Sequence, residues 1–118
     1  IAGVEFAFCR QPLAWEDAER FCAGMGRRIA RLDDEAQAKA AGKASQRHKK
    51  GRWWIGLSDR AAEGAFVWAD GAPAAYTRWA KGQPDNEPCN EDCVAIRDKK
   101  GGRWQDSHCD QRRPFICR

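Results

Sequence analysis

The chain has 118 residues, the length of one domain, and carries 21 Lys and Arg against 17 Asp and Glu for a formal charge of +4. Its 42% hydrophobic content and six tryptophans exclude a disordered chain, and no run approaches the ~18 apolar residues of a membrane-spanning helix. Six cysteines, an even count in a small chain, point to disulfides in an oxidising, extracellular setting.

No basic-then-apolar segment opens the chain, so any secretion signal is expected to be removed or to lie outside these residues. In chain order, "GVEFAF" at 3–8 alternates and predicts a first strand. "PLAWEDAERFCAGMG" predicts a helix with Ala14, Ala18, Phe21, Cys22 and Met25 on one face, preceded by Pro12 and stopped by Gly24 and Gly26. "DDEAQAKAAGKA" predicts a second helix, with Asp33 as N-cap and Asp34 and Glu35 in the first turn. After Gly51 come short strands, "WWIGLS", "AFVWAD", "CVAIRD", "GRWQD" and "PFICR", separated by turn residues such as Asp70-Gly71 and Gly101-Gly102. Helices first and strands later argue for an α+β fold, a single domain over 1–118. Trp15, Trp54, Trp68 and Trp104 read as core, with Trp53 on the opposite face of its strand.

Between Asp70 and Cys93 the strand signal fades, and so long an irregular stretch in a small domain is usually functional. From Gln83 to Asp92 it holds carboxylates Asp85, Glu87, Glu91 and Asp92, carboxamides Gln83, Asn86 and Asn90, and no cation. Gathered oxygens suit calcium, which takes about six to eight of them and tolerates irregular geometry. Gln83 and Asp85 flank Pro84, and a cis bond there would turn both toward one point. The pairs Asp59 and Glu63, and Gln105 and Asp106, are further oxygen donors, but spacing does not show that they converge. Zinc on Cys89, Cys93, His108 and Cys109 is the disfavoured alternative, since adjacent His108 and Cys109 are poorly placed to share an ion. The six cysteines themselves allow fifteen pairings, among which spacing does not choose. Neighbouring Asp106, Ser107 and His108 do not make a triad, and no phosphate-cradling loop occurs, so no enzyme is expected.

Cations gather at Arg27, Arg28 and Arg31, and again at Lys43, Arg47, Lys49, Lys50 and Arg52. The 43–52 run could contact a polyanion, but a solvated helix end and loop is the preferred reading, because no aromatic residues interleave with it.

Six motifs carry a resemblance over essentially the whole chain: "WWIGLSD" (53–59), "FVWADG" (66–71), "RWAKGQPDN" (78–86), "EDCVAI" (91–96), "RWQDSHC" (103–109) and "PFIC" (114–117). In this order and spacing the chain resembles the C-type lectin-like domain. The resemblance implies that fold, with two helices, short antiparallel sheets and a long calcium-binding loop region. It implies disulfides Cys22–Cys117 and Cys93–Cys109, leaving Cys9 and Cys89 to pair with each other, stay free or link to another chain. It assigns a principal calcium to Gln83, Asp85, Glu91, Gln105 and Asp106, with Gln105 standing where asparagine is usual. An auxiliary calcium maps onto Asp59, Glu63, Asn86, Glu91 and Asp92. Gln83, Asp85, Glu91 and Gln105 would also hold the sugar, and the order Gln-Pro-Asp implies galactose-type rather than mannose-type glycans. The implied protein is a secreted calcium-dependent carbohydrate-binding module whose useful avidity would require several copies; no nucleic-acid or membrane-insertion role is expected. The alternative is a module of the same fold for a protein or other non-sugar ligand.

Overall fold

Local pattern and long-range pairing together set the order β1 (Ala7–Leu13), α1 (Trp15–Gly24), α2 (Glu35–His48), β2 (Trp53–Ser58), β3 (Val67–Trp68), β4 (Cys93–Ile96), β5 (Trp104–Ser107) and β6 (Arg113–Cys117). This is a computed structural model, and it describes residues 4–85, 92–97 and 101–118. The strands form one sheet in the order β1-β6-β2-β4-β5, with β3 pairing against the end of β2. β2 and β6 run parallel through Trp54 and Phe115; the other pairings are antiparallel.

β2 is the centre of the core, and all six of its residues are buried. Side chains alternate across a strand, so its two faces fill two separate clusters. Trp53, Ile55 and Leu57 pack with Ala38 and Ala41 of α2 and with Trp68 and Trp104. Trp54 turns the other way, against Trp15, Ala18 and Cys22 of α1 and Phe115 of β6. Each large side chain fully withdrawn from water contributes about 1.5–3 kcal/mol, so this one strand concentrates much of the driving force. The tryptophan N–H groups are also placed: Trp15 Nε1 donates to Ile55 O at 2.8 Å and Trp54 Nε1 to Leu13 O at 3.0 Å.

Several boundaries depart from expectation for physical reasons. Of the strand expected at 3–8, residue 3 lies outside the described residues and 4–6 are not in the sheet; β1 starts at Ala7, because its register is dictated by β6 (Ala7 opposite Cys117, Phe8 opposite Ile116, Cys9 opposite Phe115). Pro12 therefore lies in an edge strand, where a missing N–H is tolerated, and does not open the helix. The inward face of α1 is Trp15, Ala18 and Cys22, while Phe21 and Met25 are 46% and 45% exposed and Ala14 is the N-cap. The cap of α2 is Asp34, whose carboxylate accepts from Gln37 N at 2.8 Å. Asp33 instead pairs with Arg31 and Arg118.

Two disulfides close the frame. Cys22–Cys117 spans 95 residues and ties α1 to β6; Cys93–Cys109 spans 16 and braces the start of β4. On chain-entropy grounds such loops contribute about 4.7 and about 3 kcal/mol. The second bond consumes Cys93 and Cys109, two of the three thiols that the zinc alternative needed. Cys9 is a free thiol, so the expected Cys9–Cys89 bond is not made; Cys89 itself lies outside the described residues.

The 29–30 segment crosses directly over β2, with Gly56 N donating to Ala30 O at 2.7 Å. A methyl group on Gly56 would sit 2.5 Å from Ile29 O, which explains the glycine inside an otherwise bulky strand. Gly56→Ala is expected to lower stability by about 1–3 kcal/mol or more. Gly24→Ala, at a helix position with nothing within 4 Å, should be neutral or slightly stabilising. Paired denaturant melts check both, and equal stabilities would contradict the crossing.

Candidate functional site

The register of β2, β4 and β5 decides where the polar side chains gather. Ser58 lies opposite Cys93, Cys93 opposite Ser107, and Val94 opposite Asp106. The residue after β2 (Asp59), the residue before β4 (Asp92) and the third residue of β5 (Asp106) are thereby carried to one end of the sheet. Asp59 N donates to Asp92 O at 2.9 Å, which locks the first two together.

Asp59, Glu63 and Asp92 each offer a carboxylate oxygen, all within 4.8 Å of one another. Asp59 is only 3% exposed. Its Oδ2 accepts from Gly64 N at 2.8 Å, but its Oδ1 is buried and, among the described residues, without a hydrogen-bond partner, as is Asp92 Oδ1. Burial pushes the Asp59 carboxyl up to about 6, aided by Asp92 and Glu63 and opposed by the Gly64 N–H. The neighbouring cation gives no relief: Arg60 turns away to pair with Glu16 at 2.7 Å and lies over the Trp15 ring.

The second group is built by the long 70–92 connection. Ala80 N donates to Trp104 O and Trp104 N to Arg78 O, both at 2.8 Å, so this segment runs along β5. Trp79 packs its ring on Phe66 and Trp104. Gln83 then follows, and the Gln83–Pro84 bond is cis. Gln83 Nε2 donates to Asp85 Oδ2 at 3.2 Å, and Asp85 N donates to Asp106 Oδ1 at 3.1 Å. Because the amide nitrogen faces Asp85, Gln83 Oε1 is left as an acceptor, buried and, among the described residues, without a partner. Asp106 is 2% exposed. Gln105 precedes it on β5, opposite Ala95 and partly exposed.

Of the residues expected at the principal calcium, the hydrogen bonds link Gln83, Asp85 and Asp106. Of the auxiliary set, Asp59, Glu63 and Asp92 are brought together. Glu91, in both expected sets, and Asn86 lie outside the described residues. Buried carboxylates and an orphaned amide oxygen in one region fit a hard divalent cation, which takes oxygen donors and offsets their repulsion. Among the described residues no nucleophile and base pair is shown here: Asp106 accepts from Asp85 N, and Ser107 Oγ accepts from Arg113 at 2.8 Å. Sequence reasoning missed the Gly64 N–H that holds Asp59 and the diversion of Arg60, because both depend on how the turn after β2 folds back.

Comparison with known proteins agrees with this geometry. The Lectin C-type domain family matches residues 11–118. Salivary C-type lectin 2 of Aedes albopictus is 34% identical over 96% of this chain and 82% of its own length. The alpha-N-acetylgalactosamine-specific lectin of Patiria pectinifera is 34% identical over 88% of this chain and 67% of its own. The chain spans only 21% of C-type lectin domain family 4 member F of Mus musculus, which it matches at 34% identity. Among solved structures, the C-type lectin CEL-I from Cucumaria echinata superposes with a TM-score of 0.90 at 28% identity, covering 98% of this chain and 91% of that one. The motifs, the fold and these relatives agree: the chain belongs to the C-type lectin domain family, a carbohydrate-binding and non-enzymatic family.

Proposed function

We propose that this domain is a secreted, calcium-dependent module for galactose-type sugars. The observation that carries the reading is the Gln83 amide, hydrogen-bonded through nitrogen to Asp85 and presenting a buried, unpartnered oxygen. Gln83, Asp85, Glu91, Gln105 and Asp106 would hold the principal ion, and Asp59, Glu63, Asn86, Glu91 and Asp92 the auxiliary one. Bound calcium supplies a Lewis-acidic centre that two vicinal sugar hydroxyls can share. Around it, the Asp85 and Glu91 carboxylates would accept hydroxyl protons, while the Gln83 and Gln105 amides would donate to hydroxyl oxygens. A hydroxyl pair of the other orientation would leave donors or acceptors unpaired, costing about 1–3 kcal/mol. That argues for galactose-type sugars, and the Patiria pectinifera relative, named as specific for alpha-N-acetylgalactosamine, supports the same reading.

No aromatic residue stands between Asp85 and Cys93 to stack on a sugar face. Monosaccharide affinity is therefore expected near the millimolar range, about −4 kcal/mol, with useful avidity arising from several copies.

Affinity chromatography tests the sugar. The protein should be retained on galactose in calcium and released by chelator, and Asp85→Ala should abolish retention; retention indifferent to chelator, or preference for mannose, contradicts the reading.

Thermal unfolding tests the ion. Calcium at about 100 times its dissociation constant should add roughly 2.7 kcal/mol, and a melting point that ignores calcium and chelator contradicts the sites.

The pH dependence in chelator has a definite sign. The folded state raises the Asp59 carboxyl from 3.8 to about 6, so between these values the native protein binds more protons than the unfolded chain. Stability without calcium should then rise as pH falls from 7 toward 5. Carboxyls held low, Asp33 against its burial by Arg31 and Arg118, and Asp70 by the Ala72 N–H and Arg31, oppose this only at still lower pH. Asp59→Asn should remove the rise and melt higher than the parent at pH 7 in chelator.

A further inference from the structure

The strands that carry carboxylates to one end of the sheet carry arginines to the other. Arg52 precedes β2, Arg97 follows β4 and Arg103 precedes β5. Trp53 pairs with Ile96 and Ile96 with Trp104, which sets the three arginines side by side; Arg97 N donates to Arg103 O at 2.7 Å. Two strand spacings put the outer pair about 10 Å apart. Arg52 and Arg103 are exposed and Arg97 is half-buried.

Helix α2 extends this row. Gly42 packs against Gly102 so closely that a methyl on it would lie 2.9 Å from the Gly102 Cα. Lys43 thereby joins Gly101, Gly102 and Arg78 around a cavity of about 390 Å³. At the helix end, the Gln46 side chain clamps Gly51 by two hydrogen bonds, and Trp53 Nε1 donates to Lys49 O at 2.8 Å. Lys49 and Lys50 are thus held on a fixed turn beside Arg52.

Among the described residues these cations are uncompensated. Arg20, Arg31, Arg60, Arg78 and Arg118 each pair with a carboxylate. Among the described residues, Lys43, Lys49, Lys50, Arg52, Arg97 and Arg103 have no such ion pair. A helix end explains cations in the last turn of α2, but not arginines at the ends of three strands.

We propose that this face is a second binding surface, independent of calcium, for a sulfated polysaccharide. A row of like charges from three separate segments favours an extended polyanion, and guanidinium groups suit its oxyanions. The disulfides imply an oxidising compartment, where the available polyanions are largely sulfated glycans. Base stacking is not provided for: the exposed large apolar side chains among the described residues, Phe21 and Met25, lie on and just beyond α1. At about 3.3 Å per residue, the row lies roughly 15–25 Å from Asp59 and Asp92, so both faces can be engaged at once.

Titration with heparin in chelator tests the surface. Binding should persist without calcium and weaken about tenfold or more as salt rises from about 0.05 to about 0.5 M. R52Q/R97Q/R103Q should lose about tenfold or more in affinity. The exposed pair K49A/K50A, which leaves the sheet untouched, should lose several-fold with an unchanged melting point. Loss of binding in chelator, unchanged affinity in both variants, or equal affinity for a single-stranded DNA of matched charge would overturn the proposal.

Discussion

Repulsion among oxygens held at the end of a rigid sheet is the constraint around which this molecule is arranged. Asp59, Asp92 and Asp106 are fixed by the pairing of β2, β4 and β5, and that pairing is itself fixed by tryptophans buried on both faces of β2. The carboxylates cannot move apart without breaking the core. Burial that raises the Asp59 carboxyl is therefore a cost imposed by packing, which a proton or a divalent cation can offset. The Cys93–Cys109 bond, next to Asp92 and two residues beyond Ser107, holds the same end of the sheet.

Much of the fold was legible because its signals are local or strongly ordered. The bulky β2 stretch, the later short strands and both helices follow from pattern, and the family motifs implied the two disulfides that form. What local pattern did not give was the outcome of long-range competition. Asp33 and Asp34 are equal candidates for a cap until Arg31 and Arg118 engage the first. Phe21 and Met25 share a helical stripe with Cys22, yet Trp15 and the disulfide turn a neighbouring stripe inward.

The candidate site was legible by composition but not by geometry. Gln83 and Asp85 announce themselves around Pro84, whereas the meeting of Asp85 with Asp106 depends on a segment that tracks β5 for several residues beforehand. Likewise, the 43–52 cations read as a solvated helix end until strand register set Arg97 and Arg103 beside Arg52. β2, β4 and β5 then each carry acid at one end and base at the other, a polarity that belongs to the fold and to no single motif.

The central claim is that the buried, unpartnered oxygens of this sheet end are metal ligands. A crystal structure grown in millimolar calcium with galactose tests it most directly. The account predicts ions about 2.3–2.6 Å from Gln83 Oε1 and from Asp59 Oδ1, with two sugar hydroxyls completing the shell of the first. Water alone at both positions, with the sugar absent or bound elsewhere, would contradict it.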